Sequence, residues 1–468
     1  MKTLRIFTDN YSGYTGDITF YPYTGGTINI GPQVLPYDYN THYYYGTYDI
    51  YFLVFNKTCT LNYPPPACDF SGSVNTSSFI STWKTDNEGI TGSDQIGIVL
   101  DASGTFDFVI DWGDGNIDTI TSYNQPELIH TYGEIGIYTI IMSGIIDGFN
   151  MQYYSGDFGK ILSIEQWGNV KLPDGSGQFY YCYNLDLSTV VDVLDTSNLT
   201  DISAMFGECY GLTGINNIEL WDVSNIINMS FMFYGAQFNQ PIGNWDVSNV
   251  VDMNYMFYGT PFNQPLSGWN VSGVTNMSSM FAASLFNQPI GNWDVSNVTT
   301  MELMFTSSPF NQPIGNWDVS NVINMNYMFE STPFNQSLSG WNVSNVVSMI
   351  RMFRFSQFNQ YIGNWNVSNV TSMNSMFDVS LFNQDIGNWN ISGVTDFIFF
   401  MFGKTPVTFS TTNLDSIYNG WSTKNPKPNL TIHFGSAKHT SASSAGKAIL
   451  TGSTMSGGYG WTIIDGGI

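Results

Sequence analysis

From residue 221 to residue 402 the apolar and polar positions repeat with one period. Trp stands at 221, 245, 269, 293, 317, 341, 365 and 389, a step of 24 residues. Phe-Asn-Gln recurs in register from 238, 262, 286, 310, 334, 358 and 382, and Met-Phe from 232, 256, 280, 304, 328, 352 and 376. A fixed step of this length marks an array whose units bury their apolar faces only by stacking. Within one unit, Phe238, Ile242, Trp245 and Val247 are punctuated by Pro241 and Gly243, which predicts a short strand over Gly243–Val247. Ser248-Asn249 then offers helix-capping side chains. Val250, Met253, Met256 and Phe257 follow at i, i+3, i+6 and i+7, the spacing of one face of a short helical turn. Strand plus helical turn in 24 residues predicts one coil of a solenoid.

The array has irregular ends. Leu194-Asp195-Thr196-Ser197-Asn198-Leu199 mimics Trp-Asp-Val-Ser-Asn-Val with a 27-residue step to Trp221, and Phe206 and Cys209 follow Phe179 and Cys182 by 27. After Gly403 the period is lost. Upstream, Phe106–Asp111 alternates apolar and polar and runs into a Trp112-Gly113-Asp114-Gly115-Asn116 turn. His130-Thr131-Tyr132 and Gly136–Ile140 give further strand patterning. The chain therefore reads as a mainly β, multidomain protein: an N-terminal β module (1–62), a Pro- and Ser-rich linker (63–78), a small β-sandwich (79–165), a leucine-rich-repeat-like β-solenoid with short helical turns (166–402), and a C-terminal cap (403–468).

Composition narrows the function. Of 468 residues, Lys and Arg number 13 against 37 Asp and Glu, a net charge of −24, while aromatics reach 16%. That balance excludes a nucleic-acid binder, which neutralises phosphates with cations, and a basic membrane-surface protein. No apolar run is long enough to span a bilayer. Between Lys171 and Arg351 there is no Lys or Arg, which leaves Arg351 and Arg354 as the one basic spot of the repeats. Tyr255, Tyr327, Arg351 and Arg354 stand at positions that vary from unit to unit and are the candidate partner-binding residues.

The other chemistry-bearing residues point to structure. The Trp ladder and the Met pairs read as core, and the Asn of Phe-Asn-Gln as a side chain bonding its neighbours in a ladder. The residue after Trp is Asp at 222, 246, 294 and 318 and Asn at 270, 342, 366 and 390, an interruption that suits a hydrogen-bonding turn better than a calcium ladder. Asp111, Asp114 and Asn116 read likewise as a hairpin turn. His42, His130, His433 and His439 are scattered, and no nucleophile or zinc motif is present, so no catalytic, cofactor or metal residue is assigned and no enzyme is expected. Cys182 and Cys209 read as stacked buried thiols; Cys59 and Cys68 flank the Pro run and could close a loop.

The unit Phe-Asn-Gln-Pro-Ile-Gly-Asn-Trp-Asp-Val-Ser-Asn-Val-x-x-Met-x-x-Met-Phe resembles the mycoplasma-lipoprotein-associated repeat of BspA-like leucine-rich-repeat surface proteins over about 180–402. Residues 79–86, 111–115 and 130–132 resemble a polycystic-kidney-disease (PKD)-like domain, and the Gly460-Trp461-Thr462-Ile463-Ile464-Asp465-Gly466-Gly467 ending resembles the tail of such proteins. The resemblance implies surface adhesion or interaction rather than catalysis. Met1-Lys2-Thr3-Leu4-Arg5 opens like a basic leader, but no apolar stretch follows, nor is there a recognisable sorting segment near the end. Adhesin architecture without an export signal predicts a virus or phage surface subunit, a fibre or decoration protein, with residues 1–62 docking onto other particle proteins. A bacterial cell-surface adhesin is the alternative. Expected partners are particle or surface proteins, a host protein or glycan, and further copies of the chain, without nucleic acid or a membrane span.

Overall fold

In the computed structural model, residues 76–151 and 156–468 are described, and residues 76–468 form one compact unit. The N-terminal β module (1–62), most of the linker, Cys59 and Cys68 lie outside the described residues. The unit is mainly β, with few helices. No helix among the described residues is long and apolar enough to cross a membrane.

Strands β1 (Phe79–Lys84), β3 (Phe106–Asp111), β4 (Ile117–Ile120), β6 (Ile137–Ile146) and β7 (Ile161–Gln166) form an antiparallel sheet in the order β4-β3-β6-β1-β7, and β2 (Gln95–Gly97) pairs with β5 (Ile129–Thr131). Alternation along β3 buries Phe106, Phe108 and Ile110 and turns Asp107 and Val109 outward. The β3–β4 turn is set by its own carboxylates: Asp111 accepts from the Gly113 amide at 3.0 Å and Asp114 from that of Asn116 at 3.0 Å. Gly113 has φ +79°, and a Cβ there would lie 2.4 Å from the Thr139 carbonyl, so only glycine fits.

Strand β7 hands the sheet on to the repeats. Ser163 bridges in parallel to Asp186, and a column of parallel bridges then runs Asp201–Asn228–Asp252–Asn276–Thr300–Asn324–Ser348–Ser372–Asp396, one unit per step. Phe397 bridges to Ile432 of β8 (Thr431–His433), which pairs in parallel with β9 (Thr462–Ile464). A single apolar core extends from Phe79 to Trp461.

Two expected elements are absent. No strand covers Gly243–Val247 and no helical turn covers Val250–Phe257; between Trp221 and Ser410 the backbone is turns and single bridges. The amide bonding explains why. In the coil after Val250, the amides of Met253, Tyr255, Phe257 and Gly259 donate to carbonyls of the next coil at Asn276, Ser278, Met280 and Ala282. The alternate amides of Met256, Tyr258 and Thr260 close turns onto the residue three before. A helix would spend every amide within its own coil and leave none for the neighbour. The alternation requires left-handed backbone at Tyr255 (φ +56°) and Gly259 (φ +70°), and it recurs from Phe231 and Gly235 to Phe399 and Gly403. A left-handed non-glycine residue costs about 1–2 kcal/mol. Each added hydrogen bond returns about 0.5–1.5 kcal/mol, and there are several per coil.

Side chains complete the stack. Phe233, Phe257, Phe281 and Phe305 lie at successive ring distances of 5.9, 5.7 and 6.0 Å. Each indole from Trp245 to Trp389 donates to a carbonyl of the preceding coil, as Trp269 does to Ile242 at 3.0 Å. Trp221, the first indole of the series, is buried without an acceptor. At the other end α1 (Thr411–Trp421) substitutes for a coil: Trp421 donates to the Ile386 carbonyl at 3.0 Å, and the Ser410 amide and Asn413 amide group both donate to Asn383. Lys404 is buried where earlier coils place Ser or Thr and donates to the carbonyls of Ser380 and Phe382. Burial pushes its ammonium down to about 7, against the pull of Asp378.

Candidate functional site

The repeated polar side chains are occupied within the stack. The Asn311 side-chain oxygen accepts from the Asn335 amide at 2.9 Å and from Gln336 at 3.1 Å, and the same bonding runs from Asn239 to Asn383. Asp222, Asp246, Asp294 and Asp318 each accept from the Ser amide two residues on, and Asn270, Asn342, Asn366 and Asn390 do the same at 3.2 Å. The Ser hydrogen bonds hold the Asp222, Asp246 and Asp294 carboxyls below their usual range. This is turn chemistry, and an Asn performs it as well as an Asp. Among the described residues no group of three or more His, Cys, Asp or Glu could hold a metal ion.

What stays available are positions that change from coil to coil. Tyr255, Tyr327 and Arg351 occupy the first left-handed position of their coils, and Arg354 lies three residues after Arg351. The structure brings two of the four into contact. The Arg351 guanidinium lies 5.5 Å over the Tyr327 ring, and it makes no ion pair among the described residues. Arg354 is committed internally: it bonds Asp378 at 2.9 Å and Glu330 at 3.0 Å and lies 4.1 Å over Phe355. Tyr255 is three coils away and stacks face to face on Phe231 at 4.6 Å.

The same columns hold residues that the sequence reading passed over. Tyr234 and Tyr258 stack at 4.9 Å beside Tyr255, and Glu208 and Tyr210 continue the surface upstream. Downstream, Phe355, Val379, Phe399 and Phe402 are all exposed. Their signal was available, since each occupies a position that varies while its neighbours repeat.

The histidines fall in separate places. His130 bonds Asp114 at 2.8 Å and stacks on Trp112 at 4.8 Å, while His433 lies 5.1 Å from the Phe399 ring. His439 joins a network that no sequence signal announced. Its Nδ1 lies 3.2 Å from the Ser443 hydroxyl, which donates to Asp415 at 2.5 Å, and its Nε2 lies 3.2 Å from Lys447, which pairs with Asp465 at 2.6 Å. Ser443 is fully buried and Asp415 also takes the Thr440 amide, so the cluster ties α1 to α2 (Ser444–Thr451) and β9 and withholds the hydroxyl from any substrate. Cys182 and Cys209 are buried free thiols in consecutive coils, their thiol pKa values raised by burial.

No curated protein and no solved structure matches the chain. The sequence profile of the family described as Mycoplasma protein of unknown function, DUF285, matches in tandem over residues 150–261, 174–285, 200–309, 260–357, 283–377, 304–417 and 332–445. These matches span more than half of the chain, which therefore belongs to that family.

Proposed function

We propose that this member of the DUF285 family is a non-enzymatic recognition protein displayed on a surface. In this reading its 24-residue units form a leucine-rich-repeat-like solenoid of the BspA-like kind, preceded by a PKD-like β-sandwich. One observation carries it: every coil divides into repeated polar groups already bonded inside the stack and varied side chains left for a partner. The varied set is rich in Tyr, Phe and Arg, the residue types that dominate binding energy at interfaces. Tyr255 and Tyr258 each have one ring face covered by the ring of the preceding coil. That arrangement suits a protein partner better than a sugar, which would need an open ring face.

The surface proposed is that of a virus or phage particle, with residues 1–62 as the docking module. The resemblance to BspA-like adhesins favours a bacterial envelope as the second reading. Mass spectrometry of gradient-purified particles beside washed envelopes from the same culture separates them: stoichiometric recovery in particles supports the first, and recovery only in envelopes overturns it. Recognition itself is tested with a Tyr255→Ser, Tyr327→Ser, Arg351→Ser chain of unchanged melting temperature. At least tenfold weaker binding of the labelled chain to host cells or particles is expected, and unchanged binding overturns the assignment of this face.

A further inference from the structure

We infer that the partner of the varied face is a cationic protein surface, one of whose arginines enters beside Glu208, Tyr210 and Gly235. The inference rests on reading that face as a recognition surface, and it names the chemistry that is recognised. Charge gives the first reason. From 172 to 350 the chain carries fourteen Asp and Glu and no Lys or Arg. Asp222, Asp246 and Asp294 are exposed, and their bonds from Ser hold them below the usual carboxylate range, so they stay ionised. A surface of one sign attracts and orients a partner of the other.

Shape gives the second reason. The second left-handed position of each coil runs from Glu208 through Gly235 and Gly259 to Phe355. Glu208 belongs to it despite the 27-residue step, because its amide donates to Tyr234 as that of Gly235 donates to Tyr258. Two successive glycines open the face there. A Cβ on Gly259 would meet only the Gly235 backbone, at 3.9 Å, and one on Gly235 would lie 3.4 Å from Glu208 Oε2 and 3.5 Å from the Tyr210 ring. A carboxylate oxygen and an aromatic ring therefore border the same space. Glu208 accepts from the Tyr210 hydroxyl but has no ion pair among the described residues. Burial raises its carboxyl above the usual range, and a cation beside it would reverse that shift.

The chain itself supplies the third reason, because the far end of the face shows such positions holding a guanidinium. Arg354 bonds Glu330 at 3.0 Å and Asp378 at 2.9 Å, one coil to either side, and lies 4.1 Å over the Phe355 ring. Arg351 lies 5.5 Å over Tyr327 of the coil before. Rings and carboxylates from neighbouring coils are what this face offers a cation. Downstream the chain provides the cation; at Glu208 and Tyr210 a partner must. Arginine suits the place better than lysine, since a planar fork bonds a carboxylate while lying against a ring.

Fluorescence anisotropy of a labelled Arg-Gly-Arg-Gly-Arg peptide, titrated with the full chain, tests the recess. The lysine counterpart should bind about threefold more weakly and the uncharged citrulline counterpart about tenfold more weakly. Glu208→Gln should weaken the arginine peptide about tenfold, whereas Asp318→Asn, an equal loss of charge on an exposed turn, should change it less than about twofold. Gly235→Asn tolerates left-handed backbone, changes no charge and should cost about fivefold by occupying the space. Equal losses from Glu208→Gln and Asp318→Asn would show diffuse attraction only and overturn the inference. So would equal binding of the arginine and lysine peptides, or unchanged binding by a Gly235→Asn chain. Excess arginine peptide should also displace the labelled chain from host cells or particles. If the Tyr255→Ser, Tyr327→Ser, Arg351→Ser chain loses that binding while Glu208→Gln and the peptide leave it intact, the cationic partner fails alone. If Glu208 governs the peptide but neither set of substitutions affects binding to cells or particles, the surface reading fails alone.

Discussion

In the sheet, Phe108 and Ile110 of β3 reach Ile120 of β4 and Met142 of β6 through antiparallel ladders, so neighbours in space come from three different strands. In the stack, Phe281 meets Phe257 and Phe305, and its coil touches one coil on each side. The sheet spreads a defect over a two-dimensional network, whereas the stack passes it to two neighbours and no further. The stack also binds its backbone with side chains at every step, so one residue type does the same work in each coil.

Trp317→Ala should separate the two regions most sharply. It removes an indole packed 6.4 Å from Phe305 and leaves the Ile290 carbonyl without its donor. A loss of about 3–5 kcal/mol is expected, read by urea unfolding. Hydrogen exchange should rise in coils 290–345 while β3 and β6 keep their protection; uniform loss of protection would mean that the stack and the sheet unfold as one. Ile110→Val in the sheet should cost only about 0.5–1.5 kcal/mol.

The repeated side chains divide in the same way. Asn311→Ala removes the acceptor for Asn335 and Gln336 and should cost about 1–2 kcal/mol. Asp318→Asn should stay within about 0.5 kcal/mol of wild type, because Asn342 already makes the equivalent bond. Equal effects from the two substitutions would remove the distinction between ladder and turn.

Acid should reach the sheet through Asp114. Burial works against its ionisation, but hydrogen bonds from His130 and Asn116 outweigh that and hold the carboxyl below its usual range. A depressed carboxyl stabilises the fold above the ordinary carboxylate pKa of about 4, and that contribution is lost as pH falls through the lower folded value. Melting temperature measured from pH 6 down to pH 3 should therefore fall less steeply in Asp114→Asn than in wild type. Identical slopes would locate the acid sensitivity elsewhere.

Which parts of this were legible follows from the physics. Phe106–Asp111 alternates strictly, and β3 has the same limits, because a half-buried strand writes its period into the side chains. Val250, Met253, Met256 and Phe257 are buried as the pattern implies, yet their backbone is not helical. Inward positions three apart fit consecutive turns as well as a helix, and what decides between them is the next coil, 24 residues away. The Arg354 pairs with Glu330 and Asp378 were readable in principle, since both partners stand one full period from it. The Asp415, His439 and Ser443 cluster was not, because the aperiodic C-terminal segment carries no register to align them.

The smallest effect tests the backbone account itself. Val379 holds φ +49° while its amide donates to Phe402 at 2.9 Å, and its side chain is 51% exposed. A β-branched residue fits that region poorly, at a cost of about 1–2 kcal/mol. Gly403 and Gly259 occupy the same position in their coils without that strain. Val379→Gly should relieve the strain and give up little burial, while the unfolded chain gains entropy worth about 0.5–1 kcal/mol. The net expectation is a gain of up to about 1 kcal/mol by urea unfolding, with no comparable gain from Val346→Gly, where a fully buried side chain would be lost. Destabilisation by Val379→Gly would mean that left-handed strain is not what the inter-coil amide bonds offset.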